Sequence, residues 1–97
     1  MPLFWIKWVF LPAAATLLLT NGDRAIRQLF ENHRISEREQ EIINLIFKGM
    51  SNKEIEETLS ISCHTVKNHI YNIFQKLGVQ SRGQLINRIL QTRDEAS

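Results

Sequence analysis

One cysteine among 97 residues excludes an internal disulfide and a cysteine-rich metal site. Four glycines and two prolines are too few for a collagen-like repeat or a flexible linker. No glycine-rich phosphate loop or dinucleotide fingerprint occurs. No segment alternates apolar and polar residues around hairpin turn chemistry, so no sheet is expected. The length holds one small domain, which rules out a TIM barrel or a doubly wound sheet. With 43% hydrophobic and 23% charged residues, the balance is that of a globular chain rather than a disordered one.

A more telling absence is local. Twelve basic residues against ten acidic ones give a net charge of only +2, but the charges are not mixed. Residues 1–34 carry Lys7, Arg24, Arg27 and Arg34 against Asp23 and Glu31. Residues 35–62 hold six glutamates against Arg38, Lys48 and Lys53. Residues 63–93 contain Lys67, Lys76, Arg82, Arg88 and Arg93 and no acid. Asp94 and Glu95 close the chain. An acid-free basic stretch is either a solvated surface or a positive face for a polyanion such as DNA.

The same absence removes catalysis. Cys63, His64 and His69 have no carboxylate in that stretch to complete a triad or support a metal. His64 and His69 lie five apart, not the four that align on a helix face. Cys63 reads as a small packing residue, and Glu56 and Glu57, being adjacent, are splayed. No enzyme, metal or cofactor is expected.

Residues 3–20, LFWIKWVFLPAAATLLLT, are almost uninterrupted apolar. As a helix they would reach about 27 Å, close to the hydrocarbon core of a bilayer. Trp5, Trp8 and Lys7 suit one interface, and Arg24 and Arg27 favour a cytoplasmic C-terminal side. A buried or partner-covered helix competes with this reading. A signal peptide fits poorly, because no basic residue precedes the apolar run. Residues 24–34 read as a helical connector whose Ile26, Leu29 and Phe30 form one apolar edge able to pack on the domain C-terminal to it.

From residue 35 the punctuation is regular. Ser36-x-x-Glu39 and Ser51-x-x-Glu54 are capping boxes, and Ser81-x-x-Gln84 is a third with Gln replacing Glu. Ser62 caps another helix. Gly49 and Gly78 stand where helices end in a left-handed conformation. A short helix, the turn Ser60-Ile61-Ser62 and a longer helix make a helix-turn-helix unit. On a wheel with Val66 at zero, Ile70, Ile73, Phe74 and Leu77 fall between about −20° and +80°. His64, Lys67, Asn68, Tyr71 and Gln75 fall between about 100° and 200°. A solvated face usually mixes Glu with Lys, because such pairs stabilise the helix. A face without Glu suits a partner that brings its own negative charge, as phosphates and base edges do.

ISEREQEIINLIFKGMSNKEIEETLSIS, TVKNHIYNIFQKLGV and SRGQLI, in that order, resemble the DNA-binding domain of LuxR-type regulators, the family of the NarL and FixJ response regulators. The resemblance covers more than half of the chain. It implies an all-α, four-helix LuxR-type helix-turn-helix domain, here with an additional hydrophobic N-terminal helix. It further implies that the third domain helix enters the major groove of double-stranded DNA. A homodimer would form through the fourth helix, at Leu85, Ile86, Ile89 and Leu90.

By position, Lys67, Asn68 and Tyr71 match the places where the family's recognition helix meets DNA, with Thr65 and His69 beside them and Lys53 at a region that meets the backbone. The chemistry agrees. Lys67 offers an ammonium to phosphate or guanine, Asn68 can bond adenine twice, and Tyr71 offers a hydroxyl or a ring. His64 and Gln75 share the face, whereas His69 sits at the apolar edge and reads as structural. The 34 residues before the domain are too few for a receiver or ligand-binding domain.

The expected organisation is a hydrophobic membrane helix at 1–21, a connector at 22–34, the helix-turn-helix domain at 35–93 and a tail at 94–97. The helix-turn-helix unit falls at about 50–69, with its recognition helix at about 62–77. The expected function is a dimeric, sequence-specific transcription regulator, its DNA-binding domain in the cytoplasm and anchored to the inner membrane by residues 3–20. The alternatives are a protein-interaction module or truncated regulator acting through mixed dimers without its own DNA target, and a promoter-binding helix set that needs RNA polymerase.

Overall fold

The computed structural model describes residues 21–96. Residues 3–20, the expected membrane helix, lie outside the described residues. Among the described residues five helices run in chain order: α1 Asn21–Asn32, α2 Glu37–Phe47, α3 Asn52–Leu59, α4 Cys63–Leu77 and α5 Arg82–Ala96. No strand occurs among the described residues, and no described helix is long and apolar enough to cross a membrane.

Helix boundaries fall at the serines. Ser36 Oγ accepts the Glu39 N–H at 3.1 Å while Glu39 Oε1 accepts the Ser36 N–H at 2.9 Å. Ser51 and Glu54 repeat the exchange at 3.2 and 2.9 Å. Each box satisfies two N–H groups that a helix start leaves without partners. Ser62 caps α4, which stops at Gly78 in the left-handed region. At Ser81 the expected box is incomplete. Ser81 Oγ accepts the Gln84 N–H at 3.1 Å, but Gln84 Oε1 takes the Gln80 N–H at 2.8 Å instead of that of Ser81. Gly49 is left-handed as its position implied, at φ 82°. Arg34 and Ser60 make the same reversal without glycine, at φ 56° and 55°, a conformation that strains most side chains.

One core joins all five helices. Ile42, Ile43 and Ile46 of α2, Ile55 of α3, Val66 and Ile73 of α4 and Leu85 of α5 are almost completely buried. The connector does not stand apart from this core. Its Leu29 is buried, Ile26 and Phe30 pack against the cluster, and α1 lies along α5. The approach is close at Gly22, where an added Cβ would stand 2.5 Å from Arg93 Cγ and 3.2 Å from the Arg93 carbonyl oxygen.

The expected dimer residues divide. Leu85 and Ile89 are buried in the chain's own core, and Ile89 also lines a groove beside Leu90. On α5 they form one i,i+4 row that points inward. Ile86 and Leu90 form the adjacent row and stay half-buried at the surface.

Candidate nucleic-acid interface

The recognition-helix candidate is α4, and its placement begins with one buried carboxylate. Glu39 is the one charged residue buried among the described residues. Its Oε1 accepts Lys76 Nζ at 2.7 Å, and the same ammonium donates to the Arg34 carbonyl at 3.0 Å. The end of α4 is thereby tied to the start of α2 and the end of α1. Burial alone would push the Glu39 carboxyl up. The Lys76 hydrogen bond and charge, with the N–H and hydroxyl of Ser36, outweigh burial and hold it below its ordinary 4.5. Glu54 is also held low, by the N–H and hydroxyl of Ser51. Lys76 is therefore a structural residue of α4.

At the other end of the unit, Arg82 joins α5 to α3. Its guanidinium donates to the Met50 carbonyl at 2.7 Å and to Asn52 Oδ1. These two ties, with Ile55 and Val66 packed between α3 and α4, hold the short helix, the turn at residues 60–62 and the long helix as one unit.

Between the ties, α4 presents two different faces. Val66, Ile70, Ile73 and Leu77 are buried and Phe74 is half-buried. His64, Lys67, Asn68, Tyr71 and Gln75 are exposed, Tyr71 at 63%. The five exposed side chains have no hydrogen bond or ion pair among the described residues. Thr65 is half-buried, with its hydroxyl 2.9 Å from Ser62 Oγ in the cap. His69 is half-buried at the edge of the apolar face, and Lys53 is exposed in the first turn of α3. The structure thus brings together Lys67, Asn68, Tyr71, His64 and Gln75 on one surface of α4.

Three neighbours go beyond the sequence expectation. Asn72 is exposed on the same helix. Arg82 and Asn52 line an open groove of about 350 Å³ with Lys67, Ile70, Tyr71 and Phe74. Arg82 belongs to the acid-free stretch, which was the available signal, but its reach to α3 depends on tertiary folding.

A capped helical core that includes a short helix, a tight turn and a long helix with an exposed polar face is a helix-turn-helix domain. Residues 33–89 match the family described as bacterial regulatory proteins, luxR family, and the chain belongs to that family. The chain is 37% identical over 78 residues to the CsgBAC operon transcriptional regulatory protein of Escherichia coli strain K12, covering 80% of this chain and 36% of that protein. It is 38% identical over 73 residues to the probable csgAB operon transcriptional regulatory protein of Salmonella typhimurium, covering 75% and 34%. The chain therefore spans about a third of the length of these curated relatives. No solved structure matches it.

Proposed function

We propose that this chain is a sequence-specific, double-stranded-DNA-binding transcription regulator whose α4 reads the major groove. The observation that carries the reading is the exposed, acid-free face of α4 inside a luxR-family domain. The two relatives, named as operon transcriptional regulators, support it. In this reading Asn68 meets a base edge, Lys67 meets phosphate or guanine, and Tyr71 meets phosphate or a thymine methyl. His64, Thr65, Gln75 and Lys53 flank them and set the register on the backbone.

A domain of this size meets one half-site, so tight binding calls for two copies. Ile86 and Leu90, the half-buried row of α5, supply the dimer contact in this proposal. Residues 3–20 anchor the chain to the inner membrane, and anchoring raises the effective concentration of one copy near another. RNA polymerase is the further partner of a regulator acting at a promoter.

Selection from a pool of random duplexes tests the core of the reading. The chain enriches a sequence with two related half-sites, and Lys67→Ala with Tyr71→Ala abolishes the enrichment while leaving the melting temperature in place. Recovery of no sequence overturns it in favour of a protein-interaction module. One observation favours that second reading. Ile26, Phe30, Ile43, Phe47 and Leu90 line a groove of about 390 Å³ between α1, α2 and α5, and Phe47 is 39% exposed there. The anchor has its own test: the full chain pellets with membranes, resists high salt and is released by detergent. A chain that stays in the supernatant removes the anchor from the proposal.

A further inference from the structure

Arg82 sits where its two known bonds do not account for its charge. The guanidinium has five N–H donors. Those bonded within the described residues reach the Met50 carbonyl and Asn52 Oδ1, both neutral acceptors. Neither the Arg38–Glu41 nor the Lys76–Glu39 ion pair includes Arg82 or Lys67. A half-buried guanidinium bonded to neutral acceptors keeps its charge and its remaining N–H donors for an anion.

The groove beside it has a defined chemistry. Ile70 and Phe74 make an apolar floor, and Lys67, Tyr71, Arg82 and Asn52 stand around it. Two cations and a phenol hydroxyl above an apolar floor complement one sugar–phosphate unit. The C–H face of deoxyribose lies on the floor, and the phosphate oxygens take the cations.

Its position on α4 matches that use. On the wheel Ile70 and Phe74 lie at about 40° and 80°, on the shoulder of the reading face, while Lys67 and Tyr71 at about 100° and 140° belong to both. A helix lying in a major groove faces base edges with its crest and the sugar–phosphate wall with its shoulder. The N-terminal end of α3 closes the groove through Asn52.

We infer that the groove between α4 and the starts of α3 and α5 seats one backbone phosphate of the bound duplex, held jointly by Arg82 and Lys67. Arg82 then does two things with one side chain: it fixes the start of α3 through Met50 and Asn52, and it sets the depth to which α4 enters the groove. The inference rests on the DNA-reading proposal above.

Methylphosphonate substitution, which neutralises one backbone phosphate at a time, tests it on the duplex recovered by selection. Wild-type protein loses affinity when one particular phosphate in each half-site is neutralised. Lys67→Gln, an exposed position with no structural bond, and Arg82→Gln each erase the penalty at that same phosphate and leave the other penalties in place. The double variant lowers the slope of log K against log salt by about 0.9 per half-site, the value of one phosphate, not by about 1.8. Should Arg82→Gln loosen the fold, as a lowered melting temperature would reveal, Arg82→Lys and Lys67→Gln carry the comparison. Different phosphates erased by the two positions, or an interference pattern unchanged by either, overturns the shared seat while DNA reading stands. A chain that enriches no duplex overturns both.

Discussion

Helix α2 buries Ile42, Ile43, Leu45 and Ile46 and turns Glu37, Arg38, Glu41 and Asn44 outward, whereas α4 buries Val66, Ile70, Ile73 and Leu77 and turns His64, Lys67, Asn68, Tyr71 and Gln75 outward. Both begin with a serine cap, and both give one apolar stripe to the same core. The difference is outside. The outward face of α2 mixes signs, and Arg38 pairs with Glu41 at 3.1 Å, three residues on. That is the ordinary surface of a solvated helix. The outward face of α4 has no acid to pair with. Helix α2 thus serves as an internal reference: within one chain of one composition, a helix facing water looks different from α4. The inner stripe of each helix accounts for the fold, and the outer faces carry the information about partners.

The largest expected effect lies on the inner side, where the helices agree. Ile73→Ala removes a fully buried side chain and costs about 3 kcal/mol. In a domain this small that lowers the melting temperature by more than about 10 °C in a thermal unfolding curve. The same loss is expected at Ile46 of α2, since the two stripes enter one core.

Next comes the bond between the helices. Glu39→Ala removes a capping box and leaves the Lys76 ammonium without its carboxylate, for a loss of about 2 kcal/mol. This contribution also has a pH signature. The folded carboxyl is held below its ordinary 4.5, so the unfolded chain binds the proton more readily. The stabilisation is complete above that ordinary value and disappears as pH falls below it through the folded value. Melting curves between pH 7 and pH 3 show a steeper acid decline for the wild type than for Glu39→Gln. Parallel declines would remove the bond from the account.

Much of this is legible in the chain itself, for local reasons. Ser36, Ser51 and Ser62 with Gly49 and Gly78 delimit helices within a few residues, because a cap satisfies N–H groups of its own turn. The two faces of α4 come from helical period alone. The packing edge of α1 is legible in Ile26, Leu29 and Phe30, though not that it lies on α5. What cannot be read depends on contacts between distant segments. Lys76 meets Glu39 across 37 residues, and Arg82 meets Met50 across 32. Arg34 and Ser60 reverse the chain without the glycine that would announce it. Leu85 and Ile89 read as partner contacts because four apolar residues on one helix look alike, and only the packing of the other helices separates the inner row from the outer one.

A smaller effect separates reading from folding. Asn68 is exposed and bonds to nothing described, so Asn68→Ala leaves the melting temperature within about 2 °C while affinity for the selected duplex falls about tenfold, the lower end of what a lost bidentate base contact costs. Discrimination at the base pair it faces relaxes with it, as binding to duplexes varied at that position would reveal.

The smallest expected effect is the most useful test of the comparison. Arg38→Ala removes a cation from the outward face of α2 and breaks an exposed pair worth about 0.5 kcal/mol at most. If binding belongs to the face of α4, this variant keeps the wild-type affinity and salt slope, while Lys67→Ala weakens binding. Equal losses in titrations at several salt concentrations would mean that DNA responds to the total positive charge of the domain. The absence of acid on α4 would then carry no information about orientation. Unequal losses assign the contact to one helix face, because Arg38 and Lys67 carry the same charge and differ in which surface holds them.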